Sequence, residues 1–369
     1  MGSVWGNNLK LSLFGEGRGA VVGGTLHGFP AGVTIDLDRI KRGLKLRQGS
    51  INFTAARKEE ERPHILSGVT DGVTNGAPIT VVFKNKDVNV SDHDSAVPRP
   101  SHADYVASVR YGGYADMNGA GHFSGRLTIP IVFFGMMIAD YLEKRGIFVA
   151  SHIKCIGEIY DSKFPEEPTS ELLGRLNSAP LPVIESDARK RMVSLLTSLY
   201  ATGDSIGGAI ESAVIGLPAG YGSPIFDSLE CSMASILFSI PAVKSVSFGH
   251  GAKFAHSRGS EVADGFEYED GTIKTNHNFN GGLNGGISNG MPIKVTTVFK
   301  PTPSIAQPIK TLNFKTNDIV NLELKGHHVP SLAPRAAIIC TSAIAIAVMD
   351  AYLEGNGYMA ALRSEEDNK

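Results

Sequence analysis

The chain has 369 residues, of which 42% are apolar and 20% are charged, and its formal net charge is −2. This composition is typical of a soluble globular protein with a large core, and the near-neutral charge argues against a nucleic-acid partner. The longest apolar run, 129–139, is about half the ~20 residues that span a bilayer, and no secretion signal is evident at the start. The widely spaced Cys155, Cys231 and Cys340 predict buried reduced thiols and a cytoplasmic location.

Hydrophobic patterning predicts the following elements in chain order: a helix at 36–47, a strand at 79–84, a helix at 131–145, a strand at 208–217, a helix at 224–240 opening with Pro224, a strand at 293–300 and a helix at 341–353. The helices at 131–145 and 341–353 are apolar on most faces, which predicts that they lie between other layers. The tail from Ser364 is polar and is expected to fray.

Two glycine-rich stretches resemble each other. GEGRGAVVGGTLHGFPAG, at 15–32, returns at 203–220 as GDSIGGAIESAVIGLPAG, with matching glycines, a shared Pro-Ala-Gly and an acid at the second position of each. Each copy leads into a helix-like segment, which predicts two related halves around one core. Arg18 and His27 occur only in the first copy.

Several common ligand motifs do not occur in the chain. There is no GxxxxGK[ST] phosphate loop, and the glycines at 282–290 lack the dinucleotide-binding spacing. The histidines, cysteines and acids show no zinc-like spacing, so the sequence predicts no metal site.

Polar residues concentrate among glycines and prolines in four segments, which are FGEGRG (14–19), RPSHADYVASVRYGG with GAGHFSGRLT (99–113 and 119–128), TNHNFNGGLNGGISNG with VFKPTPSI (275–290 and 298–305), and KGHHVPSLAPR (325–335). Glycine-rich turns and arginines bind phosphate or carboxylate groups, and histidine transfers protons near neutrality. The four segments together predict a phosphorylated or carboxylated ligand, although any one of them could be a solvated loop.

These segments make the chain resemble chorismate synthase over nearly its whole length. The family's GESHG stands here as Gly15-Glu16-Gly17-Arg18-Gly19, and RPGHADY stands as Arg99-Pro100-Ser101-His102-Ala103-Asp104-Tyr105. GDSIG at 203–207, GxPAGxGxPxFD at 216–227, AVKxVxxGxG at 242–251, GGIS at 285–288 and KPTxSI at 300–305 are also present.

The resemblance implies an α/β (α+β) fold: a single domain over 1–369 with helices packed between two mostly antiparallel sheets, in a homotetramer. It implies a carbon–oxygen lyase that converts 5-enolpyruvylshikimate 3-phosphate to chorismate by 1,4-elimination of phosphate, in aromatic amino acid biosynthesis. The family requires reduced FMN, and NADPH enters only as a possible reductant of that flavin. The expected partner is thus a small phosphorylated substrate, with no nucleic acid and no membrane.

Carried over residue by residue, the resemblance implies three groups of site residues. The catalytic group is His102, Arg18, His122 and His328. The cofactor-binding group is Ser124, Ala242, Gly285, Lys300, Pro301, Thr302, Pro303, Ser304 and His327. The substrate- and phosphate-binding group is Lys45, Arg47, Arg126 and Arg335.

The chain departs from the family pattern at several polar positions. Arg18 replaces a catalytic histidine, Val329 replaces the acid proposed as proton acceptor, and Asn52 replaces an arginine. Arginine stays protonated, so Arg18 can bind phosphate but is a poor proton donor. His122 and His327 could restore proton transfer from new positions. A paralogue that keeps the flavin and anion site with altered or lost catalysis, or a non-catalytic partner subunit of an active homologue, is therefore the alternative.

Overall fold

The computed structural model describes residues 2–49, 60–86, 96–269, 271–324 and 328–366, with side chains described up to residue 360. These residues form the helices α1 (Leu37–Gln48), α2 (Asp104–Arg110), α3 (Thr128–Glu143), α4 (Ser170–Ser178), α5 (Ser186–Thr202), α6 (Leu229–Ser239) and α7 (Ala333–Glu366). They also form the strands β1 (Val4–Trp5), β2 (Lys10–Gly15), β3 (Val21–His27), β4 (His64–Ser67), β5 (Val69–Thr70), β6 (Val73–Thr74), β7 (Ile79–Lys84), β8 (Phe148–Ile156), β9 (Ile159–Tyr160), β10 (Gly208–Ile215), β11 (Val243–Phe248), β12 (Phe266–Glu269), β13 (Thr272–Thr275), β14 (Leu283–Asn284), β15 (Ile287–Ser288), β16 (Ile293–Phe299), β17 (Ile309–Leu312) and β18 (Ile319–Leu322).

Two five-stranded antiparallel sheets enclose a layer of helices. The strand order is β1-β2-β3-β7-β4 in the first sheet and β9-β8-β10-β16-β11 in the second. The helices α3 and α7 pack against each other; α3 contacts β3, β7 and β8, and α7 contacts β8 and β10. An added Cβ at Gly135 of α3 would collide with Ser342 of α7, so this glycine permits their close approach. The expected fold class is confirmed.

The two central helices are also the most apolar ones. The stretches 118–143 and 333–360 are long and apolar enough to cross a membrane, but 83% and 89% of their most apolar windows are buried inside the fold. The core helices of globular proteins pass the same test of length and composition. The two helices therefore carry no argument for a membrane span.

The two halves of the chain repeat one topology. The strands β2, β3, β7 and β4 occupy the same positions in the first sheet as β8, β10, β16 and β11 in the second, and the helices α1 and α3 correspond to α6 and α7. The echoed stretches 15–32 and 203–220 contain the equivalent central strands β3 and β10. Gly28 and Gly216, which end these strands, have φ values of +80° and +79°. The predicted internal repeat is therefore a repeat of structure.

A second pair of stretches is also alike in the two halves. GVTNGAPI at 72–79 and GISNGMPI at 286–293 lead into the equivalent strands β7 and β16. The amide oxygen of Asn75 accepts from the Ala77 N–H at 3.0 Å, and Asn289 accepts from the Met291 N–H at 2.9 Å. The loops between the echoes differ in length between the halves, so no single offset aligns both pairs.

A buried hydroxyl joins the two echoed stretches within each half. Thr74 Oγ1 donates to the Pro30 carbonyl at 2.7 Å, and Ser288 Oγ donates to the Pro218 carbonyl at 2.6 Å. Each hydroxyl also accepts a backbone N–H at 2.9 Å. The two halves thus share individual hydrogen bonds as well as topology.

The structure corrects three predictions made from the sequence. The helix expected at 224–240 begins at Leu229, because Ile225 has a φ of +67° and Ser228 caps the helix. Cys231 faces outward from α6 and is exposed, whereas Cys340 is buried and burial raises the pKa of its thiol to about 12. The helix expected at 341–353 is longer and spans Ala333–Glu366.

Asp350 of α7 ties the last helix to the first strands. Its Oδ1 accepts from the backbone N–H of Leu9 at 2.6 Å and of Asn8 at 2.7 Å. Burial raises the pKa of the Asp350 carboxyl, although these N–H bonds oppose that shift. The turn between β1 and β2 is thus held by a residue more than 300 positions later.

Candidate functional site

The turn between β2 and β3 is the FGEGRG stretch, and it packs against a second glycine turn at 119–121. The Gly17 N–H donates to the Gly121 carbonyl at 2.8 Å. The Arg18 side chain covers Gly119, where an added Cβ would lie 2.7 Å from Arg18 Cγ. The observed position of the Arg18 side chain therefore requires a residue without a Cβ at position 119, on a segment far away in sequence.

Two further side chains hold the same turn. The Asn85 amide donates to the Glu16 carbonyl at 3.2 Å and to the Gly19 carbonyl at 2.6 Å. His122 is exposed, and its Nδ1 lies 3.2 Å from the Gly15 carbonyl, to which it can donate. The structure thus brings His122 to the turn that carries Arg18.

Three non-glycine residues in the motif segments have left-handed backbone. The φ values are +61° at Ser101, +67° at Ala120 and +77° at Ala242. Ser101 stands where the RPGHADY motif of the family has glycine. Such a conformation costs on the order of 1–3 kcal/mol, and it concentrates at functional sites.

A group of buried charges lies where α3 and α7 begin. Arg47 forms a two-point ion pair with Glu61, and its Nη1 lies 3.3 Å from Thr128 Oγ1, on the first residue of α3. Arg126 Nη1 is 3.8 Å from the same carboxylate. Arg335, in the first turn of α7, has its pKa lowered to about 10 by burial and by the charge of Arg47, while Glu61 raises it. We call these residues, Arg47, Glu61, Arg126 and Arg335, the arginine cluster.

The arginine cluster suits an anionic ligand. Helix N-termini carry a positive partial charge, and two of them begin here beside three guanidinium groups. Lys45, two positions before Arg47 on α1, is exposed, because a shift of two residues turns a side chain to another face of a helix. The structure places Arg47, Arg126 and Arg335 together, and Lys45 apart from them.

The RPSHADY loop is closed by its own ends. Arg99 Nε and Nη2 donate to the Asp104 carboxylate at 2.8 Å and 2.7 Å, and the Arg99 N–H donates to it at 2.8 Å. Burial alone would raise the pKa of Asp104, but the hydrogen bonds from Arg99 lower it. His102 lies between the two, in a loop with fixed ends.

The KPTPSI segment contacts this loop at two points. Lys300 Nζ donates to the Ser101 carbonyl at 2.6 Å, and Ser304 Oγ lies 2.7 Å from His102 Nε2. The Lys300 N–H donates to the Ala242 carbonyl at 3.0 Å. Burial, together with the nearby charge of Lys244, lowers the pKa of Lys300. Four residues predicted at the site therefore meet here: His102, Ala242, Lys300 and Ser304.

GDSIG, the second copy of the echoed turn, supports the KPTPSI segment from the other side. Ser205 Oγ donates to the Thr302 carbonyl at 2.7 Å, and the Ala306 N–H donates to the Gly203 carbonyl at 2.9 Å. The Ile206 N–H donates to the Pro330 carbonyl at 2.8 Å, just before α7. In this half the turn is a structural support.

His328 lies against the same segment. Its Nδ1 is 3.2 Å from the Ser304 carbonyl and its Nε2 is 3.0 Å from the Leu324 carbonyl, and each contact needs an N–H donor. Val329 follows it and has no ionisable group. His327 and Asn52 lie outside the described residues.

The two echoed turns flank the arginine cluster. Gly17 of the first turn adjoins Ser124, which is buried and caps the turn that contains Arg126. The second turn reaches Pro330, which precedes Arg335 on α7. The rings of Tyr111 and Phe123, 6.5 Å apart, join the RPSHADY region to the 119–123 turn. One end of the molecule thus collects most of the predicted site residues.

Gly285 lies away from this end. It sits in the β14–β15 hairpin, where the Ser288 carbonyl accepts from the Gly220 N–H, just past the end of β10. Lys300 lies at the opposite end of β10, because it follows Phe299, which pairs with Gly208 at the start of that strand. An eight-residue strand separates the two by about 20 Å. The structure therefore does not bring Gly285 together with Lys300 and Ser304 within one chain.

Sequence reasoning missed two residues of this region, Glu61 and Asn85. Glu61 belongs to the acidic run at 59–61. The only sequence feature that could have indicated its ion pair is the short distance along the chain between this run and the basic residues at 45–47. Asn85 ends a buried strand and gave no signal of its own. Within the described ranges, no group of three His, Cys, Asp or Glu side chains is arranged to hold a metal ion.

Comparisons with known proteins agree with this geometry. Residues 9–353 match the family model for chorismate synthase. The chain is 38% identical over 361 residues to the chorismate synthase of Thermococcus gammatolerans, covering 97% of this chain and 99% of that protein. It is 40% identical over 352 residues to that of Korarchaeum cryptofilum, covering 95% and 97%.

A solved structure extends the likeness to the fold. A crystal structure of chorismate synthase superposes with a TM-score of 0.75 at 25% identity, covering 95% of this chain and 93% of that one. The family model, the sequence relatives and the solved structure thus indicate the same family over almost the full length of the chain. The chain belongs to the chorismate synthase family.

Proposed function

We propose that this chain catalyses the 1,4-elimination of phosphate from 5-enolpyruvylshikimate 3-phosphate to give chorismate, with reduced FMN as cofactor. The observation that carries the proposal is the arginine cluster at the starts of α3 and α7. The reaction breaks one C–O bond to phosphate and one ring C–H bond, and it forms a C=C bond. A fixed set of cations can stabilise the departing phosphate without reorganising.

The anionic substrate would be held from two sides. Arg126 and Arg335 would contact the phosphate or a carboxylate, while Arg47 is bound to Glu61, and Arg18 projects from the FGEGRG turn against Gly119. His102, His122 and His328 are imidazole groups at this end, and imidazole is the commonest general acid or base in enzymes. Because Arg18 cannot act as one, its role would be to bind charge.

The KPTPSI segment fits a cofactor. Thr302 Oγ1 is buried and has no hydrogen-bond partner among the described residues, so a bound group could satisfy it. Thr302 would then help to hold the flavin, which, in the family, lends electron density as phosphate leaves. NADPH would act only by reducing the flavin.

The test is chorismate formation by the purified protein with the substrate and chemically reduced FMN under anaerobic conditions. We expect chorismate and inorganic phosphate in equal amounts. FMN binding without either product would favour the paralogue that has kept its anion site but not this reaction. Chorismate formation only in preparations that also contain a co-purified active homologue would favour the partner-subunit alternative.

We also propose that the chain forms a homotetramer in the cytoplasm, and that the outer face of α6 contributes to assembly. The stretch 231–243 has no charged residue, and Phe238 is 52% exposed. Phe226, which precedes the helix, is 87% exposed. The equivalent helix α1 instead exposes Asp38, Lys41, Arg42 and Lys45. An uncharged face is self-complementary across a two-fold axis because no like charges meet there.

Mass measurement in solution tests the assembly. We expect a mass of four chains, and a smaller species for Phe238→Lys. A monomeric wild-type protein would contradict this proposal and leave the proposed reaction untouched.

A further inference from the structure

Ser304 lies between His102 and His328. Its hydroxyl lies 2.7 Å from His102 Nε2, and its carbonyl lies 3.2 Å from His328 Nδ1. The resemblance to the family assigns Ser304 to the flavin. The contacts within this chain point its hydroxyl to an imidazole instead.

The segment that presents Ser304 is fixed at several points. Ser205 Oγ bonds the Thr302 carbonyl, and the Ala306 N–H bonds the Gly203 carbonyl. The Lys300 N–H bonds the Ala242 carbonyl, at a residue with left-handed backbone. A hydroxyl presented from such a segment has a defined position before any ligand binds.

The loop that carries His102 is fixed on both sides of the histidine. Lys300 Nζ donates to the carbonyl of Ser101, the residue before His102. The carboxylate of Asp104, two residues after His102, accepts from Arg99. These bonds set the backbone, but the imidazole still turns about its own side-chain torsions, of which χ2 is broad and roughly two-fold. A hydrogen bond to one ring nitrogen selects both the orientation and the tautomer of a histidine.

We propose that Ser304 is a positioning residue for His102: its hydroxyl holds Nε2 and thereby fixes the ring orientation in which His102 exchanges protons. The role in turnover rests on the proposed function, whereas the contact itself does not. Lys300 supports the same arrangement by holding the backbone one residue earlier. His328 supports it from the other side of Ser304.

The experiment compares Ser304→Ala with Ser304→Thr, which keeps the hydroxyl. In protein labelled with ¹³C at histidine Cε1, the His102 signal is assigned by its loss in His102→Asn. We expect Ser304→Ala to move that signal and Ser304→Thr to return it towards its wild-type position. In turnover we expect kcat to fall about 10- to 100-fold in Ser304→Ala, with KM for the substrate changed less than about threefold, as for a misplaced catalytic group.

Ser205→Ala is the matched comparison, because it removes a hydrogen bond of the same 2.7 Å length from the same segment without touching the ring. We expect it to lower thermal stability and leave the His102 signal in place. The proposal would be overturned if Ser304→Ala weakened FMN binding, measured by flavin fluorescence, while the His102 signal stayed unmoved. If the wild-type protein forms no chorismate, the proposed function fails, but the His102 signal still decides the role of Ser304.

Discussion

The two halves of the molecule use the same backbone plan and differ in what joins the first two main strands of each sheet. In the first half, residues 16–20 connect β2 to β3 directly, and this turn carries Arg18. In the second half, residues 157–207 connect β8 to β10 and include α4 and α5. The first connection delivers a charged side chain to the site, and the second adds a helical layer and ends in a supporting turn.

The second connection contributes to a buried group of one histidine and two carboxylates, which has no counterpart at the equivalent strands of the first half among the described residues. His152 of β8 is fully buried, and its two ring nitrogens lie 3.0 Å from Asp161 and Glu211. The Phe164 ring packs on the imidazole with its centroid 4.6 Å away. The comparison teaches that the two halves share the hydrogen-bonded frame but not the ionisable side chains that each half buries.

The largest effect is expected at His152, which tests whether the second half depends on its own charged group. His152→Ala should lower the free energy of unfolding by about 3–5 kcal/mol, because it leaves two buried carboxylates without their partner. Chemical denaturation measures the loss. His64→Ala, on the exposed strand β4 of the first sheet, is the control and should change the free energy of unfolding little. Equal losses in the two variants would mean that His152 and its two carboxylates do not specifically stabilise the second half.

The same group gives the wild-type protein a defined pH dependence. Burial alone would lower the pKa of His152, but its bonds to Asp161 and Glu211 raise it above 6.5, so its contribution is lost as the pH rises through that raised value. Burial alone would raise the pKa of Glu211, but the bond to His152 helps to lower it from 4.5 to about 2. That contribution is lost as the pH falls from 4.5 towards 2. Denaturation across pH should show both losses, and His152→Ala should remove the alkaline one.

The shared frame predicts equal effects at two equivalent hydroxyls. Thr74→Val and Ser288→Ala each remove one donated and one accepted hydrogen bond at a buried position. We expect each to lower the free energy of unfolding by about 2–3 kcal/mol, with values within about 1 kcal/mol of each other. A loss at only one position would show that the halves are alike in topology but not in energetics.

Arg18 is the residue by which the first turn differs most from the second, where Ile206 takes its place in the alignment. Arg18→Ala should raise KM for the phosphorylated substrate about 10- to 100-fold, since a hydrogen bond to a charged group contributes about 1.5–3 kcal/mol. FMN affinity should stay unchanged. Arg42→Ala, exposed on α1, is the control, and a KM unaffected by Arg18→Ala would remove the charge-binding role.

The smallest effect is expected at Ala120. Ala120→Gly relieves a φ of +67° and should raise the free energy of unfolding by about 0.5–1 kcal/mol. Ala201→Gly, at an exposed position in α5, should instead lower it. A stabilised Ala120→Gly with lower kcat would indicate that the strained turn serves the reaction.

Much of the frame could be predicted from the sequence, because local patterns determine it. The helix α1 and the strands β7 and β16 lie within one residue of their predicted bounds, since apolar periodicity and flanking glycines mark them. The start of α6 could not be placed from Pro224, because the left-handed Ile225 breaks the helix in a way that composition does not reveal.

The site was harder to predict because its partners are far apart in sequence. The motifs indicated His102 and Ser304 separately, but their contact spans 202 positions. Glu61 and His152 were missed because a buried ion pair is defined by which segments fold together, and each residue alone resembles an ordinary surface charge. Gly285 illustrates the converse, since a motif match does not say at which end of a strand a residue lies.

Asp350 also bears on the order of folding. Asn8 and Leu9, in the turn between β1 and β2, receive their carboxylate partner from α7, so this turn stays unsecured until residue 350 has left the ribosome. The earliest hairpin to be synthesised is therefore among the last to be secured. A chain cut short before α7 would leave these two backbone N–H groups without that carboxylate.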